Sequence, residues 1–388
     1  MGGAVGPPVS VYPPPTTSSY PLLDADLARE LVAEAALAPS AHNVQPARWT
    51  TAPGDLLVLL RAVDRTLPAA DPSGHDLRAS LGAAMEGASL AASGRGLALR
   101  DVRWEDAARA AVGAETIAGH EVVAAARVTM GGIPDPLAAY VRARRSWRGA
   151  FRGGSAAVKA LATLQGEDTY VLAASAADDV AQWIDEATWT FVSRQDYHAE
   201  LWRWLRLDPA DPRYRRDGIT AEWLRLTPFQ ARLARVALRP SVFRLLQATG
   251  MGKSLVSEAE AVRSASGFLC YCPPRTLDDY AVGRRAYRLW LQATSVGLAL
   301  AGMPALVEHE PTRERIAERI GLPADRRLAA VFRAGRCPTD APPPSPRLPV
   351  EELLVERAPL PARCGPQSRG PRCTTRSASR PTSTARSR

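Results

Sequence analysis

The chain has 388 residues, of which 46% are hydrophobic and 23% charged. That length suits two packed units or one enlarged domain and excludes a small disulfide scaffold. No apolar run approaches the ~20 residues of a membrane-spanning helix, and most of the net charge of +9 sits in the tail: Pro361 to Arg388 holds seven of the 49 basic residues and no acid, leaving 42 basic against 40 acidic residues before it.

A body so close to neutral gives no reason to expect a nucleic-acid partner, which would need basic residues clustered on one folded face. Residues 1–22 are rich in Pro, Ser and Thr and read as a flexible arm. The arm has neither the basic nor the apolar region of an export signal, so the expected location is the cytoplasm.

Residues 23–134 form a first patterned half. Asp24 caps a helix with Leu27, Leu31, Val32 and Ala35 on one face. A strand at Leu56–Leu60, a helix at Asp76–Ser93 and strands near Leu97–Trp104 and Val122–Val128 follow. The second half, 135–354, opens with a helix from near Asp135 to near Arg145. It continues with a strand at Thr169–Leu172 and a long helical stretch from Ala176 to Leu207. An insertion at about 208–257 precedes a strand at Phe268–Tyr271, helices at Tyr280–Val296 and Arg313–Ile320, and a strand at Leu328–Ala334. Both halves are α+β, and residues 355–388 read as a disordered basic tail.

A repeat links the halves. Laying the segment from Gly82 over that from Gly283 matches these two glycines, Leu90 with Leu291, Ala92 with Ala293, and Gly96 to Leu99 with Gly297 to Leu300. Each copy is a helix with small residues on one face, closed by Gly and followed by an apolar strand. Duplication and chance agreement in an Ala-rich chain are both open at this point.

The five His lie far apart and show no ligand spacing, and Cys270 and Cys272 are read as pointing to opposite faces of their strand, so no metal site is expected. Three other segments could carry chemistry. At the end of the first helix, Pro39, Ser40, Ala41, His42, Asn43, Val44, Gln45 and Pro46 make a run of short polar residues between two prolines. It suits the recognition of a flat heterocycle by backbone amides, the Ser40 hydroxyl and the Asn43 and Gln45 carboxamides, or simply stops the helix with local turns. In the second segment Arg142, Arg144, Arg145 and Arg148 crowd seven residues. Arg144, Ser146 and Arg148 alternate, as an extended phosphate-binding segment would, and the other reading is a solvated basic helix end. The third segment holds Arg347 in a Pro-rich stretch, SPRLPVEEL.

Together APSAHNVQP, RRSWR and SPRLPVEELL resemble the A-P-S-x-x-N-x-Q-P, R-x-S-x-R and R-x-P-x-E-E elements of the nitroreductase superfamily of FMN flavoproteins, in particular its Acg-like branch. The resemblance extends over most of residues 24–354, including YRRDGI and WLQATSVGLALAGMPALV. It implies a three-layer α+β nitroreductase-like fold, duplicated so that one chain mimics the usual homodimer, with a helical lid insertion. By the same resemblance FMN phosphate would meet Arg144, Ser146 and Arg347, and Arg148 would meet the ribityl chain or the N1/O2 edge. Pro39, Ser40, Ala41 and Asn43 would lie against the isoalloxazine ring, Gln45 would belong to the same cofactor site, and His42 is either a neighbour of the ring or a core residue. Ala47, where a Trp commonly follows Gln-Pro, and the bulky Trp147 depart from the family pattern.

Between Trp223 and Ser257 there is no acid, and Arg225, Arg232, Arg235, Arg239 and Arg244 interleave with Leu226, Phe229, Leu233, Val236 and Phe243. Pro228 and Pro240 are read as breaking this stretch, so a lid over a cofactor is expected in place of a membrane-surface helix. Gln247 to Ser254 imitates a phosphate-binding loop but has Gln where the first Gly is needed. The expected function is FMN-dependent oxidoreduction, with NAD(P)H as reductant and a nitroaromatic, quinone or related small molecule as acceptor. The flavin would do the redox work, so no catalytic side chain is named. The alternatives are a protein that binds and sequesters FMN without turnover, and a flavin dehydrogenase acting on a biosynthetic intermediate.

Overall fold

The computed structural model describes residues 22–338 and 345–356. The flexible arm and the basic tail therefore lie outside the described residues except at their inner edges. Leu22 begins the described chain, and α1 (Ala25–Ala35) follows, its first turn capped by the Asp24 carboxylate, which accepts the Leu27 N–H at 2.8 Å. Ala28, Leu31, Val32 and Ala35 form its buried face.

β1 (Ala47–Ala52) and β2 (Leu56–Arg61) make a hairpin in which Ala47 faces Arg61 and Ala52 faces Leu56. After α2 (His75–Ser93) come β3 (Leu97–Trp104), α3 (Glu105–Val112), β4 (Thr116–Ile117) and β5 (His120–Met130). These strands form one antiparallel sheet in the order β1-β2-β5-β3, with β4 beside β5. Its core joins Trp49, Leu57, Leu59 and Met85 to the buried face of α1. Sequence patterning passed over β1, whose Ala-Arg-Trp-Thr-Thr-Ala run is weak on its own and becomes a strand by pairing with the apolar β2.

The helix expected from Asp135 to Arg145 does not form. The Asp135 carboxylate accepts the Leu137 N–H, a short 3₁₀ turn spans Pro136–Tyr140, and the chain then unwinds, because Trp147 N–H bonds to the Leu300 carbonyl at 3.0 Å and draws the segment out along another strand.

α4 (Ser155–Ala162) and β6 (Thr169–Ala173) come next. The long helical stretch is two helices, α5 (Ala177–Val192) and α6 (Gln195–Trp204), separated where Arg194 adopts an extended backbone. β7 (Leu205–Arg206) and β8 (Ile219–Thr220) pair in parallel at the base of the insertion, which carries α7 (Pro228–Ala237), α8 (Pro240–Ala248), α9 (Gly252–Leu255) and α10 (Ala259–Arg263). Pro228 and Pro240 do not break a helix. Each opens one, at a position whose N–H has no intrahelical acceptor in any case.

β9 (Gly267–Tyr271), α11 (Asp279–Ser295), β10 (Ala299–Gly302), α12 (Ala305–Glu308), α13 (Glu310–Ile320) and β11 (Ala330–Gly335) complete a second antiparallel sheet, ordered β10-β11-β9-β6. Cys270 and Cys272, fully buried, enter the same core as Phe268 and Val180. They share one face, against the expectation of opposite faces, because a strand's side chains repeat every second residue. α14 (Val350–Leu353) then returns to the first half: Val355 N–H donates to the Trp49 carbonyl at 2.7 Å, and Leu348 and Leu353 fill the first core.

α2 and α11 cross at small residues. A Cβ on Gly82 would stand 2.0 Å from the Tyr280 carbonyl oxygen, and one on Gly283 would stand 1.9 Å from that of Ala79. Each glycine meets the residue three places before the other, so the contact is reciprocal, as across a twofold axis. Glu86, buried beside the crossing, accepts hydrogen bonds from Arg284 and Arg288 at 2.8 Å each.

Candidate functional site

The site is built where α1 ends. Its last carbonyls have no intrahelical donor and carry the negative end of the helix dipole, a natural seat for a guanidinium. Arg347 takes it. Nε donates to the Ala36 carbonyl at 2.5 Å, Nη2 to those of Leu37 and Ala38 at 3.2 Å each, and Nη1 to Asn43 Oδ1 at 2.9 Å. Arg144 arrives from the other side and donates Nη2 to the same Leu37 carbonyl at 3.3 Å, its guanidinium over the Trp290 ring at 4.8 Å.

Burial and the neighbouring Arg144 push Arg347 down to about 9. Arg144 is itself lowered, chiefly by burial. Unlike Arg347 it is incompletely satisfied: Nε and Nη1 are enclosed without a well-formed acceptor among the described residues, and the enclosed Tyr287 hydroxyl, which acts on Arg144 through its charge and as a hydrogen-bonding neighbour, does not complete the set. Two guanidinium groups share a corner in which protein acceptors satisfy only one of them. Burying a charge with open donors is costly, and an anion with several oxygens would remove the cost.

The polar loop runs past this corner. Ser40 is extended, and His42, Asn43 and Gln45 all take positive φ, at 45°, 55° and 51°. Such backbone costs on the order of 1 kcal/mol per residue and persists only where its surroundings hold it. Here they do. Asn43 Nδ2 donates to the carbonyls of Gly218 at 3.3 Å and Pro346 at 3.1 Å, and Gln45 Nε2 to that of Arg216 at 2.8 Å. Gln45 Oε1 accepts the Leu348 N–H, and Ser40 Oγ accepts the Gln45 N–H. The two carboxamides, which the sequence offered to a heterocycle, are thus spent on stitching the loop to the base of the insertion and to the 346–348 segment.

Arg148 lies with its guanidinium over the Trp223 ring at 4.6 Å. The His42 ring is pushed down to about 4, first by burial and then by the charge of Arg148, which places these two groups in one field. Ser146 pairs with Leu300 in an isolated parallel bridge. Trp147 points into the second core, with Nε1 donating to the Ala150 carbonyl at 2.8 Å. Arg144 and Arg148 therefore serve different neighbours, Trp290 and Trp223.

Sequence reasoning missed the group that sets the base of the insertion. The Asp217 carboxylate, enclosed, is bound by Arg65 at 3.1 Å, Arg206 at 2.7 Å and Arg213 at 2.8 Å. The next residue, Gly218, has a φ of 74° and its missing Cβ would stand 2.4 Å from the Trp204 carbonyl oxygen, so only glycine brings this turn against Asn43. The Y-R-R-D-G-I run was visible in the sequence, but of the arginines that bind its Asp217 only Arg213 adjoins it, and Arg65 and Arg206 lie in other segments. A cleft of about 410 Å³ opens elsewhere, among Arg61, Arg78, Glu105, Glu121 and Tyr280, and no residue of the expected site lines it.

No family model matches the chain, and no curated protein matches it. Among solved structures it is similar to a candidate nitroreductase from Anabaena variabilis, at 11% identity and a TM-score of 0.43, over 81% of this chain and 88% of that one. It is also similar to an FMN-bound nitroreductase from Bacteroides fragilis, at 11% identity and 0.26, over 59% of this chain and 97% of that one. A third likeness is to the FMN-dependent nitroreductase NfnB from Mycobacterium smegmatis in complex with NADPH, at 19% identity and 0.29, over 60% of this chain and 98% of that one.

Proposed function

We propose that this chain is an FMN-dependent oxidoreductase of the nitroreductase type, reduced by NAD(P)H and passing two electrons to a nitroaromatic, quinone or related acceptor. One observation carries the reading: Arg144 and Arg347 converge on the end of α1 with the Nε and Nη1 donors of Arg144 unmet, beside a strained polar loop. The unmet donors fit a phosphate. In this reading Arg144 and Ser146 bind the FMN phosphate and Arg347 holds the corner positive. Arg148 lends positive charge toward the flavin N1/O2 edge, and Pro39 to Asn43, with His42, form the wall of the ring site. Bound FMN supplies hydride and electron chemistry that no side chain here offers.

The reciprocal contact of Gly82 and Gly283 supports the Acg-like reading, in which residues 23–134 and 135–354 are two copies imitating a dimer, with a lid at about 208–257. On that reading Gln45 and Asn43 hold the lid base shut through Arg216 and Gly218. The same closure supports a second reading, storage of FMN without turnover. The visible spectrum of the purified protein, with chromatography of any released chromophore, tests the cofactor. Anaerobic bleaching by NADPH then separates an enzyme from a store. A colourless protein that takes up no added FMN would end both.

A further inference from the structure

The lid presents its apolar residues to solvent. In α7, Phe229, Leu233 and Val236 fall at spacings of four and three, one helical face, and are 74%, 55% and 51% exposed. Leu245 on α8 is 66% exposed, and the exposed Met251 and Leu255 follow just before and at the end of α9. What turns inward is small or solitary: Ala231 and Ala237 from α7, and Phe243 from α8, stacked on His198 at 4.1 Å. A helix that merely covers a pocket buries its large apolar stripe and exposes its polar face, and this one does the reverse.

The charge around the stripe has one sign. No acid occurs from Trp223 to Ser257. Arg235 is paired with Asp208, but Arg232, Arg239 and Arg244 are exposed and form no ion pair among the described residues. The prolines that argued against a surface helix open α7 and α8 and leave both intact.

We propose that α7 to α9 dock on an anionic lipid surface, with Phe229, Leu233, Val236 and Leu245 entering the headgroup boundary and Arg232, Arg239 and Arg244 binding lipid phosphates. Large apolar side chains flanked by cations are what an interfacial helix requires, and complementarity of charge selects an anionic bilayer over a neutral one. The proposal is independent of the flavin reading, since none of these residues belongs to the corner at the end of α1.

The test is cosedimentation of the full chain with phosphatidylcholine vesicles, with and without phosphatidylglycerol. Binding is expected only where phosphatidylglycerol is present, and should weaken as salt rises. Two variants, Phe229→Ser with Leu233→Ser and Arg232→Gln with Arg239→Gln, should each lose on the order of tenfold in affinity with unchanged melting temperature. Leu245→Ser on the second helix is expected to act in the same direction. Failure to bind anionic vesicles overturns the proposal. So does binding that survives all the substitutions, which assigns it to the seven arginines of the tail. A dimer in sedimentation equilibrium that dissociates in the Leu233 variant overturns it as well, because the stripe is then covered by a second copy.

Discussion

Arg144 and Arg347 donate to the same carbonyl oxygen, that of Leu37, yet only Arg347 is fully partnered. The two should therefore respond oppositely to removal in the flavin-free protein. Arg347→Met strips the Ala36 and Ala38 carbonyls and Asn43 Oδ1 of this donor, leaves the Leu37 carbonyl to Arg144, and should cost about 3 kcal/mol of stability. Arg144→Met removes a buried charge with open donors and should be neutral or slightly stabilising. With FMN added, Arg144→Met should lose about thirtyfold in flavin affinity, the equivalent of one charge-assisted contact of about 2 kcal/mol, and Arg347→Met should also bind FMN more weakly because the corner loses a positive charge. Thermal melts with and without FMN separate these outcomes, and equal destabilisation by both substitutions in the flavin-free protein would remove the phosphate argument.

The crossing of α2 and α11 makes a sharper prediction about packing. Gly82→Ala and Gly283→Ala each place a Cβ about 2 Å from backbone oxygen, which no rotamer change can relieve. Each should cost roughly 3 kcal/mol or more. Gly94→Ala is the control: its Cβ would meet neighbours only at 3.7 Å and its backbone is right-handed helical, so it should be neutral or gain up to about 1 kcal/mol. Urea unfolding of the three variants checks the series.

This pair also shows how far the sequence could be read. Gly82 and Gly283 were matched from their surroundings alone, and the match has a geometric meaning. α1, α2, β2, β5 and α11 were legible because burial imposes its period on neighbouring residues. What could not be read depends on partners distant in the chain. The unwinding after Tyr140 answers to Leu300, the strand at Ala47–Ala52 answers to β2, and Trp147 answers to the second core. In the candidate site, Arg144, Arg347 and the 39–45 loop do come together. The spending of Asn43 and Gln45 on Gly218, Arg216 and Leu348 was invisible, since a carboxamide's partner is not written beside it.

Asp217 holds the base of the insertion through three arginines. Burial alone would raise its pKa, but hydrogen bonds from Arg213 and Arg206 outweigh that and hold the carboxyl below its ordinary value. A depressed carboxylate contributes stability above its unfolded pKa, about 3.9, and loses it as pH falls below that value. Asp217→Asn leaves three guanidinium groups without their anion and should cost about 3–5 kcal/mol. Because Gly218 and Arg216 grip Asn43 and Gln45, limited proteolysis should cut the 38–46 loop faster in this variant. An unchanged cleavage pattern would uncouple the base of the insertion from the loop.

His42 gives the pH dependence at higher pH. Burial, then the charge of Arg148, lowers its pKa to about 4, against 6.5 for the free ring. Between these values the unfolded chain holds the proton and the folded one does not, so stability rises with pH across that window. The contribution is complete above about pH 6.5, declines below it, and is exhausted near pH 4; its full size is a few kcal/mol by order of magnitude. His42→Asn keeps a residue that accepts the positive φ of 45° while deleting the titration. The wild-type chain should lose melting temperature between pH 6.5 and 5 more steeply than the Asn variant, and Arg148→Gln should shrink the difference by relieving the repulsion. Parallel slopes in all three proteins would show that the His42 ring titrates as it does in water, and that Arg148 does not reach it.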